Sequence, residues 1–344
     1  MAEIRREIGS EFWDVPAGAA KNGLFPENTG WFLSGRSALK AIVRELKGCR
    51  TVDMPSWCCD SMVEPFRAAG MEVRFYPVYF RDGLVRELPE GGDVLFVMDY
   101  FGSAAEAPVR RGGARVVIRD TTHSVFSASF GDADYSFGSL RKWCGVWTGG
   151  YAVAEDGRSL QPEAPADGEY VSLRRTAMEK KASYIGSRED GGAPPPESKS
   201  EYLQLFGAAE KRLELTGIAA AAERDVRLIR QLDVRFMKER RRANAEVLRD
   251  ALPDWLIIPE LKGADCPMFV PVRVPDGQRD ALREYLIRRE IYCPVHWPGG
   301  ASLPIGGRER ALYDSELSLV CDQRYSAEDM LRIAEAIRAF RKGR

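Results

Sequence analysis

The chain has 344 residues, 44% of them hydrophobic, enough to bury a large core and to favour two domains over one. Fifty basic residues against 51 acidic ones leave a formal net charge of −1, which excludes a global field drawing the protein to nucleic acid or anionic membrane. The opening MAEIRREIGSEFW has no apolar run of signal-peptide type, no later stretch could span a bilayer, and the seven scattered cysteines point to reduced thiols of a cytoplasmic protein. Their spacing, with only two histidines, argues against a structural metal.

Taken in chain order, the apolar positions 38, 39, 42, 43 and 46 predict a first helix, with Gly48 ending it. Short Val-, Phe- and Tyr-rich runs predict strands at 51–54, 73–78, 94–101, 116–119, 133–137 and 151–154, with a helix at 60–69 between the first two. Such alternation predicts an α/β fold, a mostly parallel sheet with helices on both faces, whose ligands gather at the carboxyl ends of the strands. Residues 186–200, polar and rich in Gly and Pro, read as a surface loop that helps to select substrate. Residues 201–252 read as long linking helices. Strands at 255–258 and 268–274 and helices at 278–289 and 327–340 complete a small α+β C-terminal domain. The expected division is 1–235 and 236–344.

Four short motifs carry chemistry. Ser34-Gly35-Arg36-Ser37 opens the first helix, where free amides and the helix dipole favour an anion, although a plain serine cap reads the same way. Asp120 ends the apolar run Val116–Arg119, either as a site carboxylate or as a turn cap, and His123 follows three residues on. Lys142 comes after Ser136-Phe137-Gly138-Ser139-Leu140-Arg141 and beside Trp143. If partly removed from water its amine becomes a better nucleophile, as Schiff-base chemistry needs. Gly149-Gly150 then supplies a tight turn. An anion cup, a carboxylate and an amine are what pyridoxal 5'-phosphate needs for its phosphate, ring nitrogen and aldehyde.

On these residues, with Pro55-Ser56-Trp57 and Cys293-Pro294-Val295-His296-Trp297-Pro298, the chain resembles the DegT-type sugar aminotransferases, which are fold-type-I pyridoxal-phosphate enzymes. The resemblance implies that Lys142 holds the cofactor covalently and moves the substrate proton, while Asp120 pairs with the ring nitrogen and His123 lies near the phenolic oxygen. It implies a phosphate cradle of Gly35, Arg36 and Ser37, with Ser136 or Ser139 adding a hydroxyl. Cys59 stands where an aromatic residue commonly faces the ring, Ser139 takes a histidine's place, and Ser136 is one position further from the lysine than usual. Trp57, Asp99, Tyr100, His296 and Trp297 are the implied substrate contacts, with Asp99 replacing a histidine.

By the same resemblance an amino donor, glutamate, would pass nitrogen to a keto-sugar carried on a nucleotide, for polysaccharide or secondary-metabolite synthesis. The partners are then small molecules and a second copy of the chain, in a homodimer with active sites at the interface. Two alternatives remain. One is a lyase or dehydratase on the same fold, disfavoured by a lysine at 142 where that branch resembles enzymes with histidine. The other is a non-catalytic scaffold or regulator, which predicts loss of Lys142 or Asp120; both are present.

Overall fold

The computed structural model describes residues 6–103, 113–127, 130–299, 303 and 306–343. Short β1 (Ile8–Gly9) precedes β2 (Gly30–Phe32), α1 (Gly35–Glu45), β3 (Thr51–Pro55), α2 (Asp60–Ala68) and β4 (Glu72–Tyr76). A hairpin, β5 (Val78–Phe80) and β6 (Leu84–Arg86), leads to β7 (Val94–Met98), β8 (Val116–Asp120), β9 (Tyr135–Ser139) and β10 (Gly150–Ala154). Helices α3 (Gly168–Glu189), α4 (Glu197–Leu215), α5 (Glu223–Ile229) and α6 (Val234–Ala251) follow. The chain ends with β11 (Phe269–Arg273), α7 (Arg279–Ile287), β12 (Ile291–Tyr292), α8 (Gly307–Ser315), β13 (Glu316–Val320) and α9 (Ala327–Lys342).

Seven strands form one sheet in the order β2-β10-β9-β8-β7-β3-β4. The pairs β3–β4, β3–β7, β7–β8 and β8–β9 are parallel, while β10 runs antiparallel to both β9 and β2. The sheet is therefore parallel except for β10. Side chains alternate across it. Ala152 and Ala154 of β10 join the core under α1 and α2, whereas Tyr151 joins a second cluster with Trp143, Ile229 and Met237. Both faces are covered, as a parallel sheet requires. A separate core lies among α6, α7, α9 and the antiparallel pair β11–β13.

Three expectations need correction. The stretch 186–200 is not one surface loop: α3 runs to Glu189, α4 begins at Glu197, and only seven residues join them. Packing overrides the Gly and polar composition, because the two helices bury Tyr170, Ala177, Tyr202 and Phe206 as a hairpin. The linking helices expected over 201–252 are present but not all long: α5 between α4 and α6 has only seven residues. Residues 255–258 form no strand; Leu256 makes a single bridge to Val272, and β11 pairs with β13, whose sequence ELSLV carries polar residues that are nonetheless buried. Among the described residues no helix is long and apolar enough to cross a membrane.

Candidate functional site

The shared orientation of β2, β8 and β9 brings three chain ends to one edge of the sheet. β2 runs into α1, and Ser34 caps that helix by accepting a hydrogen bond from the Ser37 amide at 3.2 Å. The first-turn amides of Gly35 and Arg36 have no acceptor within the helix. Ser37 Oγ is turned away and donates to the Gly217 carbonyl at 2.9 Å. Across the gap stands Ser139, at the end of β9; a Cβ on Gly35 would lie 3.4 Å from the Ser139 Cβ. Ser139 Oγ is buried and has no hydrogen-bond partner. Ser136 lies on the opposite face of β9 by strand alternation, so Ser139 is the serine brought to the α1 terminus.

Asp120 closes β8 and is fully buried. Its Oδ1 accepts from the Thr122 amide at 2.8 Å, while Oδ2 is buried and unbonded. Burial pushes its carboxyl up to about 6; the Thr122 hydrogen bonds and the charge of Lys142 oppose the shift, and that of Asp99 adds to it. The loop after Asp120 is tied to the turn that carries Lys142, since Trp143 Nε1 donates to the Thr122 carbonyl at 2.7 Å. Leu140 N donates to Gly149 O at 2.9 Å and closes the loop between β9 and β10. Gly149 has φ +134°, a conformation that side chains resist.

Lys142 is exposed in the isolated chain, contrary to the expected partial burial. It lines a cavity of about 650 Å³ together with Arg141, Glu210, Arg241, His296 and Arg324. Its charge acts on Asp120, His123 and His296, so its amine is within electrostatic reach of all three. His123 is buried with Nδ1 unbonded, and its ring stacks on Trp297 at 5.5 Å and 18°. Burial, His296 and Lys142 hold its imidazole well below the ordinary value.

The implied substrate residues divide. His296 lines the cavity. Trp57, Tyr100 and Trp297 instead pack together in the core, with Tyr100 OH donating to the Trp57 carbonyl at 2.7 Å. Asp99 is fully buried in an ion pair with Arg119 at 3.0 Å and accepts from Ser124 Oγ at 2.5 Å. Those bonds hold it inside the protein and away from the cavity. Cys59 immediately precedes α2, with Sγ 3.2 Å from Ser61 Oγ, and Arg36 is half-buried in the first turn of α1. None of the seven cysteines is in a disulfide.

Sequence reasoning missed the rest of the cavity wall. Gly9–Phe12, Leu203, Phe206 and Glu210 of α4, Arg241 of α6 and Arg283 of α7 come from segments without motifs. Among the described residues, no group of three His, Cys, Asp or Glu side chains could hold a metal.

No protein-family model matches this sequence, and no curated protein matches it. Solved structures do. An aminotransferase of the DegT DnrJ EryC1 StrS type from Brucella abortus superposes with a TM-score of 0.54 at 15% identity, covering 91% of this chain and 85% of its own. Spr1654 from Streptococcus pneumoniae, in its PLP form, gives 0.57 at 13% identity over 94% and 91%. DesI, solved in the presence of its TDP-sugar product, gives 0.58 at 16% identity over 90% and 80%. Likeness over nine-tenths of the chain at such low identity establishes architecture: this chain has the fold of the DegT-type sugar aminotransferases.

Proposed function

We propose that the protein is a pyridoxal-phosphate-dependent aminotransferase acting on a keto-sugar. The observation that carries the reading is the set of unsatisfied groups at the carboxyl edge of the sheet. Asp120 Oδ2 and Ser139 Oγ are buried without partners, Ser139 against the first turn of α1 and Asp120 within reach of the Lys142 charge. Leaving such groups unpaired is costly, which points to a ligand with a cationic nitrogen and an anion. Pyridoxal phosphate fits both requirements.

When bound, that cofactor supplies an electron sink for a carbanion on the substrate. Asp120 would hold its ring nitrogen protonated. The α1 amides of Gly35 and Arg36, with the Ser139 hydroxyl, would hold its phosphate. Lys142 Nζ would hold it covalently at rest and carry the proton to and from the substrate carbon. Arg141, Arg241, Arg283 and Arg324 outnumber Glu11, Glu210 and Asp322 along the cavity, which suits anionic substrates such as glutamate or a nucleotide-linked sugar. A second copy of the chain lying over the cavity would shield Lys142, and we take the functional unit to be a homodimer.

The test is spectroscopic. The protein should bind pyridoxal phosphate with a yellow absorbance, and an amino acid such as glutamate should bleach it with release of the keto acid. A colour that no amino donor discharges would favour a lyase, and failure to bind the cofactor would remove the reading.

A further inference from the structure

His296, Ser318 and Glu316 form a hydrogen-bonded chain running from the cavity wall into the C-terminal core. His296 Nδ1 lies 2.8 Å from Ser318 Oγ, and Ser318 Oγ lies 2.5 Å from Glu316 Oε1. Glu316 Oε2 accepts from the His296 backbone amide at 2.6 Å. Glu316 and Ser318 are fully buried, while His296 lines the cavity. With Nδ1 occupied by Ser318, Nε2 is the ring nitrogen left to the cavity, and no protein group among the described residues bonds it.

We propose that Glu316 and Ser318 are a proton relay that sets whether His296 offers a donor or an acceptor to the substrate. The logic is one of valence. An ionised Glu316 can only accept, so Ser318 must donate to it. The Ser318 oxygen then accepts from His296 Nδ1–H, and Nε2 is left bare. A protonated Glu316 donates to Ser318 through Oε1. Ser318 then turns its hydrogen to Nδ1, and the ring must carry its proton on Nε2.

Passing from the first state to the second takes up one proton. It enters at Nε2 from the cavity, the Nδ1 proton moves to Ser318, and the Ser318 proton moves to Glu316. The imidazole is neutral at both ends. That matters because burial and the charge of Lys142 press the imidazole down to about 3, so a stable imidazolium is unfavourable there. The relay lets His296 take a proton and store it on a buried carboxylate.

The groups facing the relay agree with this. Glu316 has Ser318, the His296 amide and, from the start of α7, the Arg279 charge. His296 faces His123 and Lys142, with the rings of Phe101, Phe269 and Trp297 around it. Burial outweighs the hydrogen bonds and pushes the Glu316 carboxyl up to about 8, so near neutral pH the donor state of His296 prevails. In that state Nε2–H suits a carbonyl or hydroxyl oxygen, as a keto-sugar presents. This assignment of partner rests on the proposed transaminase; the relay itself does not.

The experiment is ¹⁵N NMR of the histidine rings in this 344-residue chain, which contains only two imidazoles. The His296→Gln variant assigns the spectrum by subtraction. As pH rises through about 8, the His296 proton should move from Nε2 to Nδ1. Glu316→Gln, whose amide donates to Ser318 as the protonated acid does, should keep the proton on Nε2 throughout. A His296 that holds one tautomer between about pH 6 and about pH 10, or that becomes doubly protonated there, overturns the relay. Cofactor binding and bleaching are read separately, so the relay and the transaminase reading can fail independently.

Discussion

Gly150 stands against Ser34: a Cβ at Gly150 would lie 2.0 Å from the Ser34 carbonyl oxygen and 2.9 Å from the Gly35 nitrogen. The start of β10 is thus what holds the α1 terminus in place, through direct backbone contact that only glycine allows. Gly150→Ala must displace that terminus. We expect a loss of about 1–3 kcal/mol in urea unfolding, typical of overpacking, together with weaker cofactor binding. An alanine variant that unfolds and binds as the parent does would show that the contact relaxes freely.

Lys142 is expected to hold the cofactor covalently. Borohydride reduction followed by peptide mass analysis should place the reduced cofactor on Lys142. Lys142→Ala should still bind pyridoxal phosphate through Asp120 and the α1 amides, but without fixation and with almost no turnover. Fixation at another lysine would show that the site has been wrongly assembled.

Asp120→Asn separates charge from shape. The amide can keep the Thr122 bond yet gives no ionic partner for a ring nitrogen, so turnover should fall while covalent attachment persists. The pH dependence has a definite sign. In the cofactor-free protein the folded carboxyl is raised from 3.8 to about 6, so its stabilising contribution is full below 3.8 and is lost as pH rises towards 6. The loss amounts to about 3 kcal/mol at ~1.4 kcal/mol per unit. Thermal unfolding of the cofactor-free Asn variant should therefore depend less on pH across that window; an unchanged slope would count against the burial argument.

Asp99 should prove structural. Removing one partner of a buried ion pair leaves the other uncompensated, so Asp99→Ala should cost about 3–5 kcal/mol of stability. Denaturant unfolding reads this directly. A variant of full stability that has lost only acceptor turnover would restore the substrate-contact expectation.

Light scattering at micromolar concentration should report a dimer, with an interface of more than ~2,000 Å² if it is obligate. A fully active monomer is incompatible with active sites completed across two subunits.

What the sequence determined by itself is local. The first helix, the run of strands between 51 and 154, the serine cap of α1, and the positions of Asp120, Lys142 and Gly149-Gly150 at strand ends all follow from short-range periodicity and turn chemistry. These residues come to one edge of the sheet, at the carboxyl ends of β2, β8 and β9 and at the start of the antiparallel β10, so a strand end in the sequence is already a place at that edge. The tertiary structure decided what depends on partners far away in sequence. Asp99, which reads as a pocket residue, is claimed by Arg119; Tyr100 and Trp297 are claimed by the core; Ser139 rather than Ser136 reaches α1 because of strand alternation. Glu316 and Ser318 lie in ELSLV, where the sequence predicts no element, and the pairing of β13 with β11 and the approach of His296 bury them as a network. Burial and pairing are properties of the packed chain, and periodicity within a segment carries no record of which distant side chain will satisfy a polar group.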